Sequence, residues 1–497
     1  MRMPLQGRGN LRRGVAVIVA AVIGSGVLLA LRSERLTLEG ALCACAALIV
    51  AVLPMAARLA EDRPGPLPIL PLAALFYVPF FILPPLLLDV TWPNGQPIRL
   101  YSDAPELEFI GAGTTGTILA GLIMLVAGMA LSRRFRPVDA VRLPTSSPRR
   151  LAMIAYGAMA VHAVLLLYPP LAGAASVGQL LRPTGLLAGS LAVAAMVSGG
   201  FSRLEIVLIL LVLLPARLVA GLATGSLNNS LILVACIALV LAALRRRAIL
   251  PMLAVVAVAA CLYTPMQYFR MVTWGPKSES LNLRDKVAAF AEGFSRNQFQ
   301  PGGLWGAATS NAQWHPYSNT LGQLVWPLLK RVDQASILAV VVQRTPGEIP
   351  SWDGHSLKHL PLASVPRALW RDKPEERFGN EFGRRYQILQ PGDTTMSVNL
   401  PWLTELYANF LMPGVVVGMF LVGLGLGLIE ISLNRPDARP AEVALCATLL
   451  VPLLVPESNI TLMIGNLPTM GLVLWGGLRL GLWGGSASFI DKSAKIQ

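Results

Sequence analysis

Charge is scarce in this chain. Only 14% of its residues are Asp, Glu, Lys or Arg, while 54% are hydrophobic and the mean hydropathy is +0.59. Soluble domains carry about 25% charged residues. The shortage excludes a soluble enzyme, a disordered tail and a coiled coil. Cysteine is limited to five positions, Cys43, Cys45, Cys236, Cys261 and Cys446, all inside apolar runs. They read as small core residues, which excludes a disulfide scaffold and a zinc cluster. No paired aspartates of the Asp-x-Asp kind occur in the long polar segment, so nothing points to a metal-held nucleotide sugar. Neither a metal nor a cofactor is expected.

Long apolar runs are what the chain has in abundance. They recur at 14–31, 38–57, 67–88, 109–131, 151–171, 183–201, 204–223, 227–244, 248–266, 413–433, 441–457 and 461–483. At about 20 residues per crossing, these predict about twelve transmembrane helices. The expected fold is therefore an all-α polytopic membrane protein. Glycine (45) and proline (38) suit bundled, kinked spans, because neighbouring helices re-satisfy freed backbone groups. The run Gly14–Leu31 follows Arg2, Arg8, Arg12 and Arg13 but lacks a small-x-small cleavage site. It reads as an uncleaved first span.

The net charge is +14. In a membrane protein such an excess flanks spans on the cytoplasmic side and implies no nucleic acid. With twelve spans, the clusters Arg58/Arg63, Arg133/Arg134/Arg136/Arg142/Arg149/Arg150, Arg203, Arg245/Arg246/Arg247, Arg435/Arg439 and Lys492/Lys495 all fall on one side. That side is then the cytoplasm, with both termini inside. Adding or dropping one central span would put Arg245–Arg247 outside. The resulting division is an N-terminal bundle over 1–265, a large outside loop domain over 266–401, and C-terminal spans over 402–497.

The outside segment is about 135 residues long, too long for a bare connection. It holds Trp274, Trp305, Trp314, Trp326, Trp352 and Trp370, and also His315, His355 and His359. Leu281–Arg296 is amphipathic, and Ser318–Val342 is apolar with Lys330, Arg331 and Asp333 interposed. The loop is thus expected to be mostly helical and to lie against the bundle.

Its densest polar stretch is Gly354–Thr395, with Arg367, Arg371, Lys373, Arg377, Arg384 and Arg385 close together. One reading is a solvated face paired with Asp372, Glu375, Glu376 and Glu381. The other is a cradle for phosphate, since Arg offers planar bidentate donors and Lys a point charge. His355 and His359 would share a face if helical, as two metal ligands might, but no third ligand stands at a telling distance. Either histidine is also a candidate general base. Arg217, behind Pro215, and Arg270 sit in or beside spans, where arginine is a functional candidate by default. Snorkelling to the interface is the competing reading. Ala223–Ser230 offers a weak anion site at a helix start. Glu405, followed by Asn409, is either a base near the membrane face or an N-terminal helix charge. His162 lies alone in a span and reads as structural.

The segment VPRALWRDKP (Val365–Pro374), then GNEFGRRY (Gly379–Tyr386), then TTMSVNLPWLTELYANFLMPGVVVGM (Thr394–Met419) resembles the loop-to-helix region of bacterial oligosaccharide repeat-unit polymerases, the Wzy-type or O-antigen polymerase family. Elsewhere the chain resembles that family in topology alone. The resemblance implies a GT-C-like glycosyltransferase of the bacterial inner membrane, with its large loop in the periplasm. It implies metal-independent transfer of a glycan from undecaprenyl diphosphate to the next lipid-linked repeat unit. Donor and acceptor would both be undecaprenyl-diphosphate-linked oligosaccharides. Membrane lipids and a chain-length regulator protein are the other expected partners.

The chemistry asks for cations at the leaving diphosphate and a base at the acceptor hydroxyl. Arg270, Arg367, Arg371 and Lys373 are expected to hold the diphosphate, with Arg217 as a further member. His355, His359 or Glu405 would assist the acceptor. Trp314, Trp352 and Trp370 are available for sugar stacking. Two rivals stand beside this reading. An O-antigen ligase would transfer the same donor to lipid A-core. A non-enzymatic transporter of lipid-linked oligosaccharide predicts charges within the spans and internal symmetry, and neither is visible in the sequence.

Overall fold

A computed structural model describes residues 5–30, 36–87, 111–167, 178–223, 227–245, 269, 283–295, 332–366, 369–370, 373, 378–394 and 396–483. Every regular element among them is helical, and no strand occurs. Six helical stretches are long and apolar enough to cross a bilayer: Leu11–Ala30, Leu38–Ala60, Ile69–Leu86, Ala112–Ser132, Trp402–Leu433 and Ile460–Trp483. The chain is a helical membrane protein. Of the other apolar runs, Pro183–Val197, Ser230–Arg245 and Pro440–Leu453 form shorter apolar helices. Pro148–Leu167 and the stretch from Arg203 to Ala223 are also helical, while 248–266 lies outside the described residues.

The chain packs into two compact units, each assembled from three separate stretches. One comprises Met1–Asp139, His315–Pro436 and Leu453–Thr469; the other comprises Ala140–Trp314, Asp437–Pro452 and Met470–Gln497.

In the first unit, the helices Ala112–Ser132 and Trp402–Leu433 run side by side at backbone contact. A Cβ on Gly423 would overlap Leu125 O, and one on Gly128 would overlap Phe420 O. Small residues are what let two helices in lipid approach so closely, since dispersion and not water exclusion drives their association. At one end of this pair, Asn434 clips the turn before the third span. Its Oδ1 accepts from Leu67 N at 2.8 Å, and its Nδ2 donates to Leu67 O at 2.6 Å. Arg58 donates to the Gly65 and Pro66 carbonyls, and Arg133 pairs with Glu61.

Proline shapes several spans. Pro84 and Pro215 lack an N–H and clash with a preceding carbonyl. In both cases a π-turn lies just upstream, at Val78–Ile82 and Ile209–Leu213, and it widens the helix to i→i−5 bonding: Leu83 N reaches Val78 O, and Leu214 N reaches Ile209 O. The helix therefore does not end at Pro215, and Leu214–Ala223 continues past it.

Pro413 has a larger effect. Phe410 (φ −138°, ψ 15°) and Leu411 (φ 57°, ψ −150°) leave the helical region, so Trp402–Leu433 is two helices joined at a sharp bend. Leu411 occupies a region that L residues rarely adopt, at about 1–3 kcal/mol. The short arm folds back on the long one. The space over Gly121 is lined by Leu403, Val415 and Met419 together. In a straight helix Leu403 and Met419 would stand about 24 Å apart.

In the second unit, Pro148–Leu167 packs on Gly178–Val197, where Gly185 makes room for the His162 imidazole. His162 is buried there, as its isolated place in a span suggested. Arg149 grips both carboxylate oxygens of Glu205, at 2.7 and 2.9 Å, and Ser202 closes a capping box with the same Glu205. Leu283–Ser295 is a helix, as its amphipathic spacing predicts.

Candidate functional site

The module carrying the polar stretch is built on two helices and their turns. Ala335–Arg344 supplies Ala339, Val340 and Val341 to an apolar cluster. Gly379–Arg385 and its two flanking residues supply one face, Phe378, Phe382 and Tyr386, spaced four apart, with the Phe382 and Tyr386 rings tilted against each other at 4.9 Å. Trp352 and Leu400 complete the cluster, with Ala408 from the short arm beneath it. Burial pushes the Tyr386 hydroxyl above its ordinary range, and that hydroxyl pairs with Thr345 Oγ1 at 2.7 Å.

Asp333 precedes the first of these helices. Its carboxylate accepts from Ser336 N at 3.1 Å and from Ser336 Oγ at 2.5 Å. Burial nonetheless raises it to about 6, the hydrogen bonds opposing that rise. The folded state thus holds a proton that the unfolded chain releases near 3.8. This contribution to stability is complete below pH 3.8 and is lost as pH rises through 6. Asp333→Asn is expected to gain on wild type in thermal unfolding at pH 7.5 and to lose that advantage at pH 4.5. An advantage independent of pH would contradict the assignment.

The bend in Trp402–Leu433 is where this module is anchored. Pro413 cannot donate to Asn409 O, so the break leaves the Ala408 and Asn409 carbonyls without helical partners. They accept instead from Trp352 N (2.9 Å) and Asp353 N (3.1 Å). Asp353 (φ 49°) and Gly354 (φ 86°) then turn the chain sharply. A Cβ on Gly354 would stand 3.0 Å from Phe410 Cζ, so the tight turn and the close approach both call for glycine.

Below the turn lies a buried polar knot. Glu405 is fully buried. Its Oε1 accepts from Ser356 Oγ at 2.6 Å, and its Oε2 accepts from Ile460 N at 2.6 Å. Asn409 Nδ2 donates to Ser356 Oγ and to Glu405 O, both at 2.8 Å. Thr461 Oγ1 donates to Ser356 O at 3.0 Å. The carboxylate sits in the first turn of its own helix and at the first N–H of the Ile460–Ile464 helix. Two positive helix ends therefore converge on it. Of the two readings of Glu405, the helix-end charge describes its position. It is closed off from solvent and is not presented to an acceptor.

Above the turn, His355 is half-exposed. Its Nε2 lies 3.1 Å from Glu381 Oε1 and 3.3 Å from Oε2. The imidazole is backed by Trp352 (centroids 6.0 Å apart) and meets Phe378 edge-on at 5.7 Å. With Nε2–H donated to the carboxylate, Nδ1 is the basic nitrogen. His355 and His359 do not share a helix face. Both lie in turns, and a single 3₁₀ turn, Leu360–Leu362, follows. The strained pair Asp353–Gly354 and then Pro361 account for the absence of a helix.

The expected cations and aromatic rings are distributed as follows. Lys373 is buried, with its ammonium on Ala363 O (2.5 Å), Val365 O (3.4 Å) and Asn466 Oδ1 (3.4 Å). It fastens the segment to the last span and does not face a diphosphate. Trp352 is a core residue, edge-on to Phe382 at 6.0 Å and covered by the Arg385 guanidinium at 5.9 Å. It offers no open face for a sugar. Trp370 is half-buried after the turn that begins at Pro366. Arg217, in the second unit, is half-buried, and its Nε has no hydrogen-bond partner among the described residues. Arg270, Trp314, Arg367 and Arg371 lie outside the described residues. Among the described residues no group of three or more His, Cys, Asp or Glu could hold a metal ion.

Sequence reasoning missed Ser356 and Ile460 altogether, and it took Glu381 only as a partner for arginine. Glu381 stands 26 positions from His355, and no spacing rule links them.

What the fold and this module define is a helical membrane protein with a structured polar module seated on a broken span. Comparison with family models, curated proteins and solved structures finds no match.

Proposed function

We propose that this protein is a bacterial inner-membrane glycosyltransferase that polymerises undecaprenyl-diphosphate-linked oligosaccharide repeat units. Twelve spans, the number the apolar runs of the sequence predict, would place both termini in the cytoplasm and the polar module in the periplasm. The observation that carries the reading is the His355–Glu381 pair, held half-exposed on an apolar backing. The sequence resemblance over Val365–Met419 supports it from a separate direction.

In this reading, the acceptor hydroxyl attacks the anomeric carbon of the donor glycan. Its proton passes to His355 Nδ1, while Glu381 fixes the ring and stabilises the imidazolium. The bond from the anomeric carbon to the diphosphate oxygen breaks, and undecaprenyl diphosphate leaves with the electron pair. Arg367 and Arg371 would stabilise that developing charge, because fixed cations act most strongly where water is excluded. Lys373 is left out, since its ammonium is held internally, and so is Glu405. A positioned base contributes about 10²–10⁴-fold to rate.

The test is a proteoliposome assay with a lipid-diphosphate-linked repeat unit. Wild type is expected to build a ladder of longer lipid-linked chains. His355→Ala should slow it by roughly 10²–10⁴-fold, and Glu381→Gln by less, with folding unchanged. Arg371→Ala should lose the ladder as well. Absence of a ladder from wild type with its native substrate would overturn the polymerase reading. Glycan arriving on lipid A-core would make the protein a ligase.

A further inference from the structure

Between His359 and Lys373 stand two large apolar side chains that none of the described residues covers. Leu362 is 53% exposed and Leu369 is 81% exposed. Exposed apolar side chains held against a membrane-spanning helix mark a surface for lipid or protein. The segment is strapped to the last span at several points. Ser364 Oγ donates to Gly465 O at 2.7 Å, and Thr469 Oγ1 donates back to Ser364 O. The buried Lys373 ammonium ties Ala363 O and Val365 O to Asn466 Oδ1. The Ala363 methyl fills the space over Gly465.

These straps fix the level of the turn. Gly465 and Thr469 lie about 7–14 Å along the helical stretch that begins at Ile460, at 1.5 Å per residue. That stretch is one of the six long and apolar enough to cross a bilayer, and its own Leu462 is 42% exposed on the way. A turn held beside that part of a span lies within the hydrocarbon and headgroup region. Ala363 O, Ser364 Oγ, Ser364 O and Val365 O are satisfied against protein by the bonds above, which is the condition for irregular backbone at that depth.

The geometry points to a lipid-inserted turn: Leu362 and Leu369 are seated among lipid acyl chains in the leaflet on the polar module's side. The occupant is the bilayer itself, because the exposed leucines flank a segment strapped to an apolar span whose own Leu462 is exposed at the same end. This inference is independent of the enzymatic proposal.

Nitroxide labels at Leu362→Cys and Leu369→Cys would test it, in full-length protein whose five cysteines are replaced, reconstituted in phosphatidylcholine vesicles. Both sites are expected to collide more with oxygen than with a water-soluble nickel chelate, and Lys358→Cys to show the reverse. Preference for the nickel chelate at both leucine sites would overturn the inference. So would shielding from both reagents, which would mean that protein covers them. A second measurement keeps the native cysteines: benzoylphenylalanine at Leu369 should photocrosslink to lipid. Crosslinks confined to the chain itself would contradict it.

Discussion

Glu405→Ala is expected to lower the stability of the folded protein by about 2–6 kcal/mol. Each buried partner left unsatisfied costs about 1–3 kcal/mol, and the substitution orphans two, Ser356 Oγ–H and Ile460 N–H. It also opens a cavity where the short arm, the turn at Ser356 and the last span meet. Glu405→Gln should fall between, because its amide keeps one acceptor and sets a donor against another donor. Thermal unfolding in a single detergent would read the series. If Glu405 were only a chemical base near the membrane face, both variants would unfold like wild type and differ in turnover alone. An unchanged midpoint for Glu405→Ala would therefore remove the structural role argued for it.

The second large effect lies at the crossing of Ala112–Ser132 with Trp402–Leu433. Gly423→Ala places a methyl against Leu125 O, a backbone atom that cannot rotate away. Overpacking of this kind costs about 1–3 kcal/mol, and the helices must separate along the shared contact at Gly128 as well. Gly425→Ala, two residues on, meets open space. It should be neutral or gain up to about 1 kcal/mol from helix propensity. The opposite signs make the comparison decisive: equal midpoints for the two variants would refute close backbone contact at this crossing.

Several elements are legible in the sequence alone. The runs 38–57, 109–131 and 413–433 correspond to helices because long apolar stretches in lipid leave the backbone no alternative. The Leu283–Ser295 helix followed from its periodicity. Proline was harder to read. Pro215 and Pro413 look alike in sequence, yet one is absorbed by a π-turn and the other ends in a sharp bend. At Pro413 the outcome depends on which groups receive the freed carbonyls. Those are Trp352 N and Asp353 N, about 60 positions upstream.

Polar residues show the same limit. Lys373 was a plausible diphosphate ligand by type and company. Only the arrival of Ala363, Val365 and Asn466 around its ammonium turns it into a strap. Trp352 was a plausible stacking ring until Phe382 and Arg385 took its faces.

The sequence by itself determined that this is a membrane protein built of helices, because hydrophobicity and span length are local properties that no packing can reverse. It also singled out the stretch Gly354–Thr395 as the place where polar chemistry gathers. The tertiary structure decided which of those polar groups remain available. Burial and partnership are set by residues distant in the chain, and a carboxylate such as Glu405 or Glu381 is fixed in a knot or left at the surface by what folds against it.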